Sequence, residues 1–412
     1  MNISIFEIVG PIMLGPSSSG TAGMVRIGAV ARLFLSSEPK NVEIQFHPRN
    51  LHHYAGCRSH LGLAGGIMGF ALDDPRFPTA FDEAKRRGVR FTITDYPREE
   101  SRDMMRVRLV IDTVGGSTHR LCAVSVGGGN ILVESVDEIP VSLNNYSAHI
   151  FAWSGRDITG ALTGILGEKT VHRSSGERHL YYAEWGEEDA AVLERLRAVD
   201  GVDRAAWIPA FLESGSSGED PLFLDFSELE TLCRAEGIDV PEAMLRYEVH
   251  RSGLDREKIL RRMGENWQCM KQSVQIGISG KARPLYGLDD GKNGQRMLAA
   301  VEAGRTLGGG VLGRAVAYGL GVMEHAMSMG CIVAAPTCGS SGIMPGCLVC
   351  LQETYGYSDE QMVRALLAST SIGIIMAQDG VRFSGAAAGC QGEITVSAAM
   401  AAQAAAYLGG GD

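Results

Sequence analysis

The 412-residue sequence is 45% hydrophobic and 21% charged, the balance of a chain that folds around its own cores rather than of a disordered or fibrous one. Its 48 acidic residues outnumber 38 basic ones, for a net charge of −10, which argues against nucleic acid as a partner. Glycine, at 53 residues, is roughly twice its usual ~7% share and has no collagen period, so many tight turns and close backbone approaches are expected.

The opening "MNISIFEIVG" lacks the basic and apolar regions of a secretion signal. The longest weakly polar run, "ALLASTSIGIIMA" (365–377), is too short and too rich in Ser and Thr for a membrane span. Nine cysteines without framework spacing point to a reduced, cytoplasmic setting in which a special cysteine is a ligand or a nucleophile.

In chain order, residues 1–145 read as an α+β domain. "GTAGMVRIGAVARLFL" (20–35) spaces its apolar residues as a helix does after a Ser/Gly-rich approach. "NVEIQFH" (41–47) and "RVRLVIDTV" (106–114) alternate as strands, and "CAVSVGGGNILVESV" (122–136) breaks at a glycine turn. Residues 146–212 form a smaller βαββαβ unit of ferredoxin-like order, whose hairpin turns at Ser175-Gly176. A Gly/Ser-rich linker (213–224) leads to a mostly helical domain (225–412). There "DREKILRRMGENWQCMKQSVQIG" (255–277) sets Ile259, Met263, Trp267, Met270 and Val274 on one stripe.

Three Gly/Ser-rich segments carry chemistry. "GPSSSGTAG" (15–23) places Ser17, Ser18, Ser19 and Thr21 before a helix, where free backbone N–H groups suit a carboxylate or phosphate. The alternative is an ordinary N-cap with a Ser-rich entry loop. "APTCGSSGIMPG" (335–346) supplies Thr337, Ser340 and Ser341 after an apolar strand, as an anion cradle or as a tight interhelix turn. "SGAAAGCQGE" (384–393) sets Cys390 among residues almost without side chains, next to Glu393. Cys390 stands either as a buried thiol or as a ligand.

Together these segments resemble, in wording and order, the iron–sulfur-dependent L-serine dehydratases (L-serine ammonia-lyases). "GPSSSGTAGMVRIGAVAR" is similar to that family's "GPSSSHTAG.VRIG", and "GGIMGFALDDPRF" (65–77) to a neighbouring segment. "APTCGSSGIMPG" is similar to its "APT.GS.G..PG", and "SGAAAGCQGE" to its "SGA.GGCQ.E". The resemblance covers essentially the whole chain and implies an N-terminal domain, a small ACT-like domain and a helical domain. It also implies a [4Fe-4S] cluster in place of pyridoxal phosphate, with one iron acting as Lewis acid on the serine hydroxyl. Cys390 is then the first cluster ligand, and Ser17, Ser18, Ser19, Thr21, Thr337, Ser340, Ser341 and Ser384 hold the small amino-acid substrate. A homodimer is expected by the same analogy.

Three departures qualify the resemblance. The family's "SSSHT" histidine is Gly20 here, and its "GHGTD" corresponds to "GCRSH" (56–60), with Cys57 for the histidine and His60 for the aspartate. Cys57 and His60 form either a replacement acid–base or ligand pair, or a drifted site. The family's further cluster cysteines lie in segments like "CDPVAG…PC", which these residues do not contain. The expectation is a partner chain or further segment that supplies them, with Cys338, Cys347 and Cys350 as alternatives, and a chain inactive on L-serine by itself. The competing readings are a lyase for another β-substituted amino or hydroxy acid, and a non-catalytic amino-acid binder.

Overall fold

The computed structural model describes residues 3–50, 53–96, 103–144, 147–210, 220–287, 289–381, 383 and 385–411. The chain divides into two compact units, residues 1–18 with 215–412, and residues 19–214.

The chain opens with a short helix α1 (Ile5–Ile8) and a strand β1 (Ile12–Leu14). Ser4 and Glu7 close a reciprocal capping box on α1, which satisfies amide donors that so short a helix leaves open.

In the 19–214 unit a π-helical turn, Ser18–Gly23, runs straight into α2 (Met24–Leu33). There follow β2 (Pro39–Phe46), α3 (Ser59–Ile67), α4 (Ala80–Arg86), β3 (Arg90–Asp95), β4 (Arg106–Thr113), β5 (Thr118–Gly127), β6 (Asn130–Val136) and β7 (Ile139–Asn144). These strands form one sheet in the order β3-β2-β4-β5-β6-β7. Only β2 and β3 run parallel; the other pairs are antiparallel. β4 alternates buried and half-buried residues along its whole length, as a sheet covered on one face requires. Helices α2 and α3 meet almost backbone to backbone. A Cβ on Gly66 would lie 2.1 Å from the Val25 carbonyl oxygen, and one on Gly28 2.4 Å from that of Leu63. The glycine excess therefore has at least one structural use here, a helix crossing closer than side chains permit.

The same unit continues with β8 (His149–Ser154), α5 (Thr159–Leu166), β9 (Val171–Ser175), β10 (Arg178–Glu184), α6 (Ala190–Arg197) and β11 (Arg204–Ile208). The four strands form an antiparallel sheet in the order β11-β8-β10-β9. Its core joins Ile150, Tyr181, Leu162 and Leu196. Phe34, after α2, packs edge-on against Phe151 at 5.2 Å. Arg204 donates to the Leu33 carbonyl at 2.9 Å and to that of Phe34, satisfying carbonyls at the end of α2. Burial lowers Arg204 to about 10.

The other unit holds α7 (Phe226–Glu236), α8 (Val240–Ser252), α9 (Arg256–Ile278), α10 (Asn293–Glu302), α11 (Gly309–Met327), β12 (Cys331–Val333), α12 (Ile343–Tyr355), α13 (Asp359–Gln378) and α14 (Gly385–Leu408). The expected α9 stripe is buried throughout: Ile259, Met263, Trp267, Met270 and Val274. β1 pairs antiparallel with β12, so residues 1–18 fold as part of this unit. Their second anchor is fully buried. Glu248 on α8 accepts from Ser4 Oγ at 2.8 Å and the Ile5 amide at 3.0 Å, and its carboxylate is paired with the buried Arg251 at 2.7 Å. The linker expected at 213–224 lies outside the described residues up to position 219.

Candidate active site

In the 19–214 unit, the π-helical turn brings the first Ser/Thr segment against the loop before α3. Thr21 donates its hydroxyl to the Cys57 carbonyl at 2.7 Å. Ser19 is half-buried, and Gly20 and Thr21 are buried. A π-turn is rare and recurs at functional sites; the sequence suggested only a loop entering a helix. Arg58 adopts φ 53° at the start of α3, a left-handed conformation that residues other than glycine seldom take and that concentrates at functional sites. His60 packs between Tyr54, edge-on at 5.0 Å, and Phe81, stacked at 5.6 Å. Burial, aided by the Arg58 charge and opposed by the Tyr54 backbone, lowers His60 to about 4. It is a neutral imidazole at pH 7. Among the described residues the Ser59 hydroxyl and Asn50 Nδ2 have no hydrogen-bond partner, and both residues are buried. Orphaned buried polar groups are costly, so the Ser59 hydroxyl and the Asn50 amide would each gain from a ligand's hydrogen bond. The sequence pointed to Cys57 and His60 and missed Asn50, Arg58 and Ser59, which no motif sets apart.

In the other unit Ser17 is half-buried and Ser18 buried. The loop 335–342 there joins β12 to α12 and is almost entirely buried, with Thr337, Cys338, Ser340 and Ser341 each at most 2% exposed. The anion that this loop cradles is the chain's own. Thr337 Oγ1 donates to Glu393 Oε2 at 2.5 Å, and a Cβ on Gly339 would stand 2.3 Å from Glu393 Oε1. Only glycine lets the loop lie against that carboxylate. Ser340 donates to the Ala335 carbonyl at 3.0 Å and its own carbonyl accepts from Ser397 at 3.4 Å, which ties the loop to α14. The Ser341 hydroxyl has only the Met323 thioether at 3.8 Å among the described residues. It is the least committed hydroxyl of the three.

Within α14 the helix breaks at Gly389, whose φ of 73° and ψ of 167° are not helical. Cys390 follows the break and is exposed, with Glu393 one turn further on and 8% exposed. Ser384 lies outside the described residues.

The cysteines differ in their fitness for iron. Cys390 is the exposed one of the nine; Cys338 and Cys350 are buried and Cys347 half-buried. Burial pushes the Cys347 and Cys350 thiols up, against the thiolate form that a cluster requires. Cys350 also donates its thiol to the Val311 carbonyl at 3.2 Å. Among the described residues no three of these sulfurs lie within 4.8 Å of one another. Of these cysteines Cys390 is the one open to solvent, whereas the thiol forms of Cys347 and Cys350 are favoured by burial.

Comparison with known proteins gives consistent results. The family described as serine dehydratase alpha chain matches residues 235–412. The chain is 35% identical over 138 residues to the L-serine dehydratase beta chain of Peptoniphilus asaccharolyticus, covering 34% of this chain and 62% of that one. It is 31% identical over 190 residues to a probable L-serine dehydratase alpha chain of Bacillus subtilis, covering 46% and 62%. It is 30% identical over 165 residues to a probable beta chain of B. subtilis, covering 39% and 72%. The chain thus spans 62% of the length of the first two relatives, and relatives of both the alpha and the beta kind match it.

Proposed function

This chain belongs to the L-serine dehydratase family, and from that premise we propose that it contributes the substrate-holding half of a lyase that removes water from L-serine. In that reaction serine loses its α-hydrogen as a proton and its β-hydroxyl with a proton as water. The resulting aminoacrylate tautomerises to an imine, which one water hydrolyses to pyruvate and ammonia. The observation that carries the reading is the buried Thr337–Glu393 pair one turn from the exposed Cys390.

The roles follow from the chemistry of each group. Glu393 has one oxygen bonded by Thr337 and the other against Gly339, so it is the positioned carboxylate that takes the α-proton. Ser341, with its uncommitted hydroxyl, donates to the substrate carboxylate, and Ser340 and Thr337 hold the loop in place. The family's [4Fe-4S] cluster, when bound, supplies a Lewis acid for the leaving hydroxyl. Cys390 is the ligand that this chain offers it, and further thiolates come from protein outside these residues. Relatives with separate alpha and beta chains make a second polypeptide a natural source. The 146–212 unit serves as an ACT-like regulatory domain, and nine cysteines without framework spacing suit a reduced cytoplasm. No helix among the described residues is long and apolar enough to cross a membrane.

Gly20 favours a second reading, a lyase of the same scaffold for another β-substituted acid, because the imidazole of the resembled motif is absent there. Titration calorimetry with L-serine, D-serine and L-alanine separates the two. The proposal expects L-serine to bind at least tenfold more tightly than either, and Glu393→Gln to weaken it. Equal binding of all three would sink the assignment of L-serine.

A further inference from the structure

Outside the segments that carry the family resemblance, the β9–β10 hairpin holds a group of ligating side chains with no role in the chemistry above. Among the described residues, Asp157, His172 and His179 place one ligand atom each within 4.8 Å of the others. His172 lies on β9 and His179 on β10, and Asp157 precedes α5. We infer that these three side chains form a site for one divalent first-row transition cation on the small four-stranded sheet.

The geometry is that of a shared coordination sphere. His172 Nε2 and His179 Nδ1 are 2.9 Å apart, so one proton is held between two nitrogen lone-pair positions. Two nitrogens each about 2.0–2.1 Å from one ion stand about 2.9 Å apart at a right angle and about 3.4 Å apart at the tetrahedral angle. The rings now stand end to end, centroids 5.2 Å apart and planes 16° apart, so to accept an ion they part by no more than about 0.5 Å and each swings by about 35–45° to turn its lone pair onto the ion. On binding, the cation replaces the shared proton, which returns to His179 as the Nε2–H tautomer.

The surroundings fix the ligands. Asp157 Oδ1 accepts from the Thr159 amide at 2.9 Å, the Thr159 hydroxyl at 2.6 Å and the Tyr181 hydroxyl at 3.0 Å. All three bonds converge on Oδ1, and Oδ2 accepts none among the described residues. Thr159 Oγ1 also stands 3.4 Å from His172 Nδ1, so Nδ1–H points to Thr159, and Nε2 is left as the donor atom. Partners of this kind orient the imidazoles of metal sites. The His172 ring stacks on Tyr181 at 4.4 Å and 8°, and Tyr181 is fully buried. Two imidazoles and a carboxylate select zinc, nickel, cobalt or copper over calcium or magnesium, whose hard ions prefer all-oxygen shells. A bound ion would staple the β9–β10 hairpin to the segment that starts α5.

Titration of the full chain with Ni(II), and with Co(II) followed by visible absorption, tests the inference. The expected result is one equivalent bound, with d–d bands and no thiolate-to-cobalt charge-transfer band. His172→Ala and His179→Gln, each with an unchanged circular dichroism spectrum, should weaken binding at least tenfold. Binding that both variants retain, a thiolate band on the stoichiometric ion, or no binding by the wild-type chain would overturn it. Because the readout is metal binding alone, it is independent of whether L-serine is the substrate.

Discussion

Thr337 and Glu393 set the energetics of the loop that the family resemblance marks. A nearly buried carboxylate 2.5 Å from one hydroxyl loses its donor in Thr337→Val, whereas Thr337→Ser keeps it. The expected cost of the valine variant is about 1–3 kcal/mol in chemical denaturation, because an uncompensated acceptor stays buried; serine should cost less than half of that. Gly339→Ala acts on the same carboxylate by contact, since its methyl would stand 2.3 Å from Oε1. L-serine affinity should fall in that variant more than stability does; an unchanged affinity would show that Glu393 does not face the substrate. The sequence displayed the hydroxyls of the 335–342 loop but not their partner. Glu393 lies more than fifty positions downstream, and nothing local to either segment announces the pairing.

At the scale of elements, what was readable was what repeats within a few residues. The α9 stripe, the Ser175-Gly176 turn and the glycine break between β5 and β6 follow from periods of 3.6 and 2 and from turn chemistry. The antiparallel pairing of β1 with β12 joins segments over three hundred residues apart, and three-residue strands carry too short a pattern to read. The N-terminal segment therefore looked like the start of the first domain, while the structure gathers residues 1–18 with the helical unit. Its buried anchor makes a prediction. Glu248→Ala removes one partner of a fully buried ion pair and two acceptors of the Ser4–Ile5 segment, and should destabilise the unit by about 3–5 kcal/mol. Hydrogen exchange at the amides of residues 5–9 should accelerate with it; protection equal to wild type would refute the anchor.

For the whole molecule, acid is the vulnerable direction. Burial lowers His60, His149 and His325 below the ordinary imidazole range. For His60 the unfolded chain takes a proton near pH 6.5, and the folded one only near about 4. Between those values the unfolded state binds more protons, so this contribution to stability is whole above about pH 6.5 and is lost as pH falls toward about 4. Urea midpoints should drop from pH 7.5 to pH 5, and less steeply in His60→Phe. A flat profile in wild type would contradict the burial of these rings.

The central claim is that this chain carries the hydroxyl loop, Glu393 and one iron-ligating cysteine, Cys390, of a serine dehydratase site. Iron and acid-labile sulfide per chain, measured with pyruvate release from L-serine after reconstitution without air, test it most directly. The account predicts well under the full complement of about four irons that a cuboidal cluster contains, and no pyruvate from the chain by itself. A chain that alone held about four irons and released pyruvate would contradict it, and would place the other thiolates among cysteines such as Cys338, Cys347 and Cys350.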